Sequence, residues 1–416
     1  MQKTIIYLLL SLHSVSLYAN VQSKIKSTYS KYNQGVEAFY RDLHQYPELS
    51  GKEFKTSKKM INELKKIGYD VTSNVGGTGL VAVLKNGSGP TVWLRADMDG
   101  LPVQEESKKS YASKIKGVMH ACGHDTHMAA MIGYASVLKD LKKEWKGTLV
   151  LIGQPAEEVG QGAKAMIDDG LYKKFPKPDL VLGLHVSGSS DTGKVTYTSG
   201  YALAAVDSID ITVNGLGGHG AAPEYTIDPV VLASKIVVNL QTLVSRNIKP
   251  SEPVVLTFGS IHGGTKHNII PNKVHLQGTL RTYTKEVRTE MISGIKRMTK
   301  ALASAEKAPK SIIKFSQSLP PTYNDPELTK KMLPIFKRVV GKNNVSEQPG
   351  IMGAEDFAHY SRDKKYPTMF YFIGGAPKNK KNFGSNHNSK FAPEYKEMLK
   401  VGVEIMALSV TEFLPN

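Results

Sequence analysis

The sequence predicts a two-domain α/β protein, a mainly parallel sheet covered by helices with a compact βαββαβ module inserted into it. Three observations carry that prediction. Short apolar runs alternate with helical patterns through the first half, the rhythm changes between about residues 195 and 314, and residues suited to one chemical site lie on both sides of the change. Strands alternating with helices form parallel sheets, because each helical crossover returns the chain to the same sheet end. A length of 416 residues fits two domains better than one.

The elements follow in order. Lys3, the apolar run Thr4–Leu17 and the step Tyr18-Ala19-Asn20 have the layout of a secretory leader over residues 1–19. The run is short for a membrane span, although Leu17 stands where a small residue is preferred before cleavage. An exported protein, periplasmic or secreted, is expected, with no membrane span after leader removal. Residues 20–195 then form the first part of one domain. Helices are predicted over Tyr32–Leu49, closed by Pro47, and over Glu53–Ile67, ended by Gly68. Strand Gly79–Leu84, strand Thr91–Arg95, helix Asp125–Leu141, strand Thr148–Gly153, helix Gly162–Leu171 and strand Asp179–His185 come next.

The inserted module, residues 196–314, reads as strand Ser208–Asn214, helix Asp228–Arg246, strands Val254–His262 and Lys273–Thr282, helix Lys285–Glu306 and strand Ser311–Gln317. That is the order of ferredoxin-like modules. Residues 315–416 complete the first domain.

Composition narrows the function. Hydrophobic residues at 40% and charged residues at 22% describe a soluble globular chain. The net charge of +17 comes mostly from lysine, but no zinc-finger spacing or aromatic-basic pattern accompanies it. A lysine-rich solvated surface is therefore expected rather than a nucleic-acid interface. With one cysteine, no intramolecular disulfide is possible.

That cysteine, Cys122, lies in the run Met119-His120-Ala121-Cys122-Gly123-His124-Asp125-Thr126-His127. Thiolate, imidazole and carboxylate together are ligands for zinc or a similar divalent ion. Gly123 lets the chain turn tightly between Cys122 and His124, and Asp125 and Thr126 are good helix-capping types. His120 and His127 either support the ligands from behind or are purely structural. Glu157 and Glu158 follow an apolar strand; one carboxylate can bind metal while the other takes a proton from water. Asp97 and Asp99 stand where another strand runs out, and one of them can orient a ligating histidine through its second ring nitrogen. Open α/β sheets place their sites there, beyond the carboxyl ends of strands.

These residues sit in segments that resemble the M20 metallopeptidases, and more closely their aminoacylase, hippurate hydrolase and auxin-conjugate amidohydrolase branch. The segments are HQYPELSGKEFKT (44–56), LRADMDGLPVQE (94–105), MHACGHDTHMAAMIG (119–133), GQPAEEVGQGA (153–163), GLHV (183–186), GGHGAAPEYTIDP (217–229), HNIIP (267–271), GTLRTY (278–283), GAEDFA (353–358) and HNSKF (387–391).

The resemblance implies a catalytic domain with an inserted lid and dimerisation domain. It also implies a site of two divalent ions (zinc, manganese or nickel) held by Cys122 as the bridge, with His124, Glu158, His185 and His387. Glu157 matches the general base, acting on a metal-activated water, and Asp99 supports a ligand from behind. His219 and Asn268 match residues that reach the substrate, the histidine often from the partner subunit of a homodimer. Arg281 matches an arginine associated with the substrate carboxylate.

The implied reaction is amide hydrolysis of an N-acyl amino acid, hippurate-like or aminoacylase-type. An exported dipeptidase or carboxypeptidase of the same family acting on short peptides is the alternative; a binding protein that kept only the fold would lack Glu157 or a ligand, and none is missing. Two departures stand out: Ser389 replaces the usual proline after the last ligand, and Glu224 replaces the usual histidine or glutamine after Pro223.

Overall fold

The computed structural model describes residues 2–361, 364–381 and 383–416, with side chains left out for 2–19 and Gln317. The candidate leader, residues 1–19, thus falls outside the described side chains. Among the described residues no helix is long and apolar enough to cross a membrane. The chain forms two compact units, one of residues up to Gly200 with Tyr323–Pro349 and His359–Asn416, the other of Tyr201–Thr322 with Gly350–Ala358.

The larger unit is built on an eight-stranded sheet, in the order 70–75, 79–86, 147–154, 91–97, 180–191, 368–376, 195–197, 345–347. Its four central strands, 147–154, 91–97, 180–191 and 368–376, run parallel. Those beside them, 79–86 and 195–197, pair antiparallel. The strand Thr91–Asp97 is buried at every position, as a strand covered on both faces must be, and this explains the apolar run Val92-Trp93-Leu94 at its centre.

Helices Gln2–Gln45, Phe54–Ile67, His124–Asp140 and Tyr395–Phe413 cover the sheet. The first starts well before the predicted Tyr32. Its apolar stripe already begins at Ile25 and continues through Tyr29, Val36, Tyr40 and Leu43, all buried at helical spacing. It stops at Gln45, since the residue before Pro47 is pushed out of the helical region.

The smaller unit carries a four-stranded antiparallel sheet in the order 254–262, 273–282, 205–214, 312–319. With helices Pro229–Thr242 and Lys285–Ala305 this is a βαββαβ arrangement. Alternating residues Ile209, Ile211 and Val213 pack on Leu232, Ile236, Leu240, Met291 and Ile295. Asp228 and Thr284 cap the two helices, accepting from Val230 N and Val287 N. The last strand runs on to Leu319, so this unit continues past residue 314 to Thr322.

Candidate metal centre

Sheet register assembles the site. In the parallel pairing Asp97 lies opposite Gln154, and Arg95 opposite Gly183. Counting on two residues from Gly183 puts His185 level with Asp97. The strand expected to end at His185 instead continues to Asp191, because its other neighbour, 368–376, stays paired with it: Phe372 faces His185 and Gly374 faces Ser187. His185 is buried just past the end of the pairing with the 91–97 strand, its backbone held by the 368–376 strand.

Helix His124–Asp140 points its first turn at the same edge. Gly123 makes this possible. It adopts φ +89°, and a Cβ there would come within 2.3 Å of Val186 Cγ1. His124 thus opens the helix with Cys122 just before it.

The carboxylates after the strands orient the rings. His124 Nδ1 lies 3.2 Å from Asp99 Oδ1, and Asp99 Oδ2 accepts from Ser50 Oγ and from Glu158 N. Asp99 therefore holds both His124 and the backbone of Glu158. His124 Nε2 is left facing Asp97 Oδ2 at 3.6 Å and Glu157 Oε2 and Glu158 Oε1 at 3.9 Å each. Asp97 is already engaged, accepting from Arg95 Nη1 and His127 Nδ1 at 2.6 Å each. His127 Nε2 accepts from Val186 N, which assigns the ring proton to Nδ1. His127 thus has no nitrogen to spare and is a support of the site.

His185 uses Nδ1 on Val186 O and turns Nε2 to within 3.4 Å of Cys122 Sγ. Burial, reinforced by His127, holds His185 well below its ordinary pKa, so the ring is neutral, the ligating form. Burial, aided by the Glu158 and Glu157 carboxylates and opposed by His124, pushes the Cys122 thiol well up, and a nearby cation is what would reverse that.

His387 Nε2 lies 3.5 Å from Glu158 Oε1. Its side chain is 57% exposed, and its backbone has φ +66°. Ser389, in place of a proline, donates to Glu106 Oε2 while its carbonyl accepts from Glu106 N, so the substitution ties this loop down.

Cys122 belongs to two potential ligand groups, one with His124 and His185, the other with Glu158 and His387. His124, Glu157 and Glu158 form a third. His124 Nε2 and Glu158 Oε1 are both buried without a hydrogen-bond partner. Such atoms are costly unless something else satisfies them, and a cation between a thiolate, an imidazole and a carboxylate would. The residues present therefore fit divalent metal.

The larger unit thus brings together Cys122, His124, Glu157, Glu158, His185, His387 and Asp99. In the smaller unit, His219 and Asn268 are neighbours through the short pairing of Gly218–His219 with Ile269–Ile270, where Gly220 N donates to Asn268 O. His219 is exposed, and Asn268 Oδ1 is buried without a partner. Arg281 lies on the 273–282 strand, its Nε on Thr279 Oγ1. Glu224 is exposed in the turn that follows His219.

Sequence reasoning missed a buried triad behind the site. His44 Nδ1 contacts Asp125 Oδ2 at 2.6 Å and Nε2 contacts Glu105 Oε1 at 3.2 Å. Burial opposes charging of His44, but Asp125 and Glu105 outweigh it and raise its pKa to about 9. All three lie in motifs already singled out; only their meeting in space was invisible. His120 is buried with neither ring nitrogen bonded, and it stands outside the ligand groups.

The model of peptidase family M20/M25/M40 matches residues 93–412. The chain is 37% identical over 394 residues to thermostable carboxypeptidase 2 of Saccharolobus solfataricus, covering 94% of this chain and 98% of that one. It is 39% identical over 335 residues to an N-acetyl-L-cysteine deacetylase of Bacillus subtilis, covering 80% and 79%. Against a solved dinuclear metal-binding M20 peptidase of Bacillus subtilis it gives a TM-score of 0.79 at 29% identity, covering 92% and 99%. The chain belongs to peptidase family M20/M25/M40 and is a metal-dependent hydrolase of amide bonds.

Proposed function

We propose that this hydrolase cleaves N-acyl amino acids, hippurate-like or aminoacylase-type conjugates, at a centre of two divalent ions, zinc, manganese or nickel. The observation that carries the reading is the single thiol common to two ligand groups, with Glu157 beside them. Cys122, shared by two of the groups, would hold the ions together with His124, Glu158, His185 and His387. When bound, the ions acidify water and polarise the scissile carbonyl.

Glu157 accepts the proton of the attacking water and delivers it to the leaving nitrogen, so one carboxylate serves as base and then as acid. Asp99 fixes the ring of His124 and the backbone of Glu158, which keeps Glu157, the residue before it, in place. His219 Nδ1 accepts from Ala221 N, so its proton sits on Nε2, the form that donates to a tetrahedral oxyanion. Asn268 reaches the substrate, and Arg281 pairs with the substrate carboxylate in a charge-assisted bond. The enzyme works as a homodimer in which His219 serves the partner's site. The leader over residues 1–19 directs export.

Cleavage of dipeptides or of carboxyl-terminal residues is the second reading, supported by the carboxypeptidase relative at 37% identity. Both substrate classes carry a free carboxylate next to the cleaved amide. Metal analysis of the purified protein, with rates on hippurate, other N-acyl amino acids and dipeptides, decides between them. Faster turnover of acyl conjugates is expected; a clear preference for dipeptides would replace the first reading with the second.

A further inference from the structure

Asn386 precedes the ligand His387, and its carboxamide is used in full. Nδ2 donates to Cys122 O at 3.0 Å and to Val186 O at 3.1 Å, and Oδ1 accepts from Gly188 N at 2.8 Å. The partners are backbone atoms of the two segments that carry Cys122 and His185. One side chain therefore joins three ligand-bearing segments that are far apart in sequence. Gly188 admits the contact, since a Cβ there would stand 3.0 Å from Asn386 N and from Ser385 Cα.

The chemistry asks for an amide. Two carbonyls need donors, and a backbone N–H needs an acceptor on the same carbon. An aspartate would set its oxygens against the carbonyls, and an apolar side chain would leave Val186 O with His185 Nδ1 alone and take the bonds of this side chain from Cys122 O and Gly188 N. His387 depends on this anchor because its own side chain is largely exposed and its backbone sits at positive φ. Its backbone adds the bond from His387 N to Ala121 O at 2.8 Å, again to the segment of Cys122.

We infer that Asn386 is a positioning residue that sets the spacing of Cys122, His185 and His387 before metal arrives. The inference rests on the proposed ligand roles of those three residues. Its removal acts on metal affinity, because the ligands of a preorganised site need not be gathered at the moment of binding.

The test is metal affinity by chelator competition for the wild type, Asn386→Leu, Asn386→Ala and His387→Ala, with thermal melting of each metal-free protein. Asn386→Leu keeps the volume and removes every bond; Asn386→Ala leaves room for water and carries the test if the leucine variant does not fold. Both should bind metal about 10–100-fold more weakly. Their metal-free forms should stay folded under the conditions of the affinity measurement, and excess metal should restore kcat. Wild-type affinity, or a loss matched by unfolding of the metal-free protein, would overturn the inference. Wild-type affinity in His387→Ala would instead overturn the ligand reading, and this inference with it.

Discussion

The two units solve opposite problems with their histidines. In the larger one, His124 and His185 are buried at the carboxyl edge of a parallel sheet, each with one ring nitrogen committed to a carboxylate or a carbonyl. In the smaller one, His219 is exposed on a two-residue strand, and its ring accepts from the backbone two residues on. A group that must hold a cation is fixed by rigid neighbours that bear the cost of burying charge. A group proposed to meet a substrate stands exposed on a short strand beside a turn.

That contrast can be broken by mutation. Glu157→Gln should lower kcat by roughly 10²-fold or more while metal content stays near that of the wild type, because only the proton carrier is removed. Unchanged turnover would remove Glu157 from the chemistry. His219→Ala should also lower kcat strongly with metal retained, as for loss of one oxyanion donor, on the order of 10²-fold. Mixed dimers of His219→Ala with Glu157→Gln should recover some activity, and none in verified mixed dimers would place His219 within its own chain's site or outside catalysis.

Asp99→Asn should weaken metal binding by about 10–100-fold, since it loosens both His124 and the Glu158 backbone. An unaltered affinity would show that the ring is held by other means.

The smallest effect concerns pH. The folded-state pKa of His44 is raised to about 9 from 6.5. Its contribution to stability is therefore fully present below about 6.5 and is lost as pH rises through about 9. Urea unfolding of the metal-free protein should show that decline in the wild type and not in His44→Gln; parallel pH profiles would remove the charge from His44.

Much of this was legible in the sequence, and the gaps have physical causes. Alternating strands and helices were readable because periodicity is local, and so was the βαββαβ order. The strand Thr368–Ala376, central to the large sheet, was not singled out, since a short apolar run far along the chain gives no sign of its partner. The start of the first helix was misplaced because Ile25 and Tyr29 lie among lysines and serines, which dilute the stripe. Cys122, His124 and the glutamate pair were visible as compact motifs. Asn386 and the His44 triad were not, because their meaning lies in backbone atoms and partners far away in sequence. Ser389 was legible as a departure from the usual proline, but its bond to Glu106 was not.

The central claim is that one thiol serves two ions. X-ray absorption at the metal edge of the loaded enzyme measures this without reference to turnover. A metal–sulfur distance of about 2.3 Å is predicted for zinc, with a second metal about 3.5–4 Å away, and the sulfur shell should vanish in Cys122→Ala. A spectrum with only nitrogen and oxygen neighbours, or with no second metal in a fully loaded sample, would contradict it.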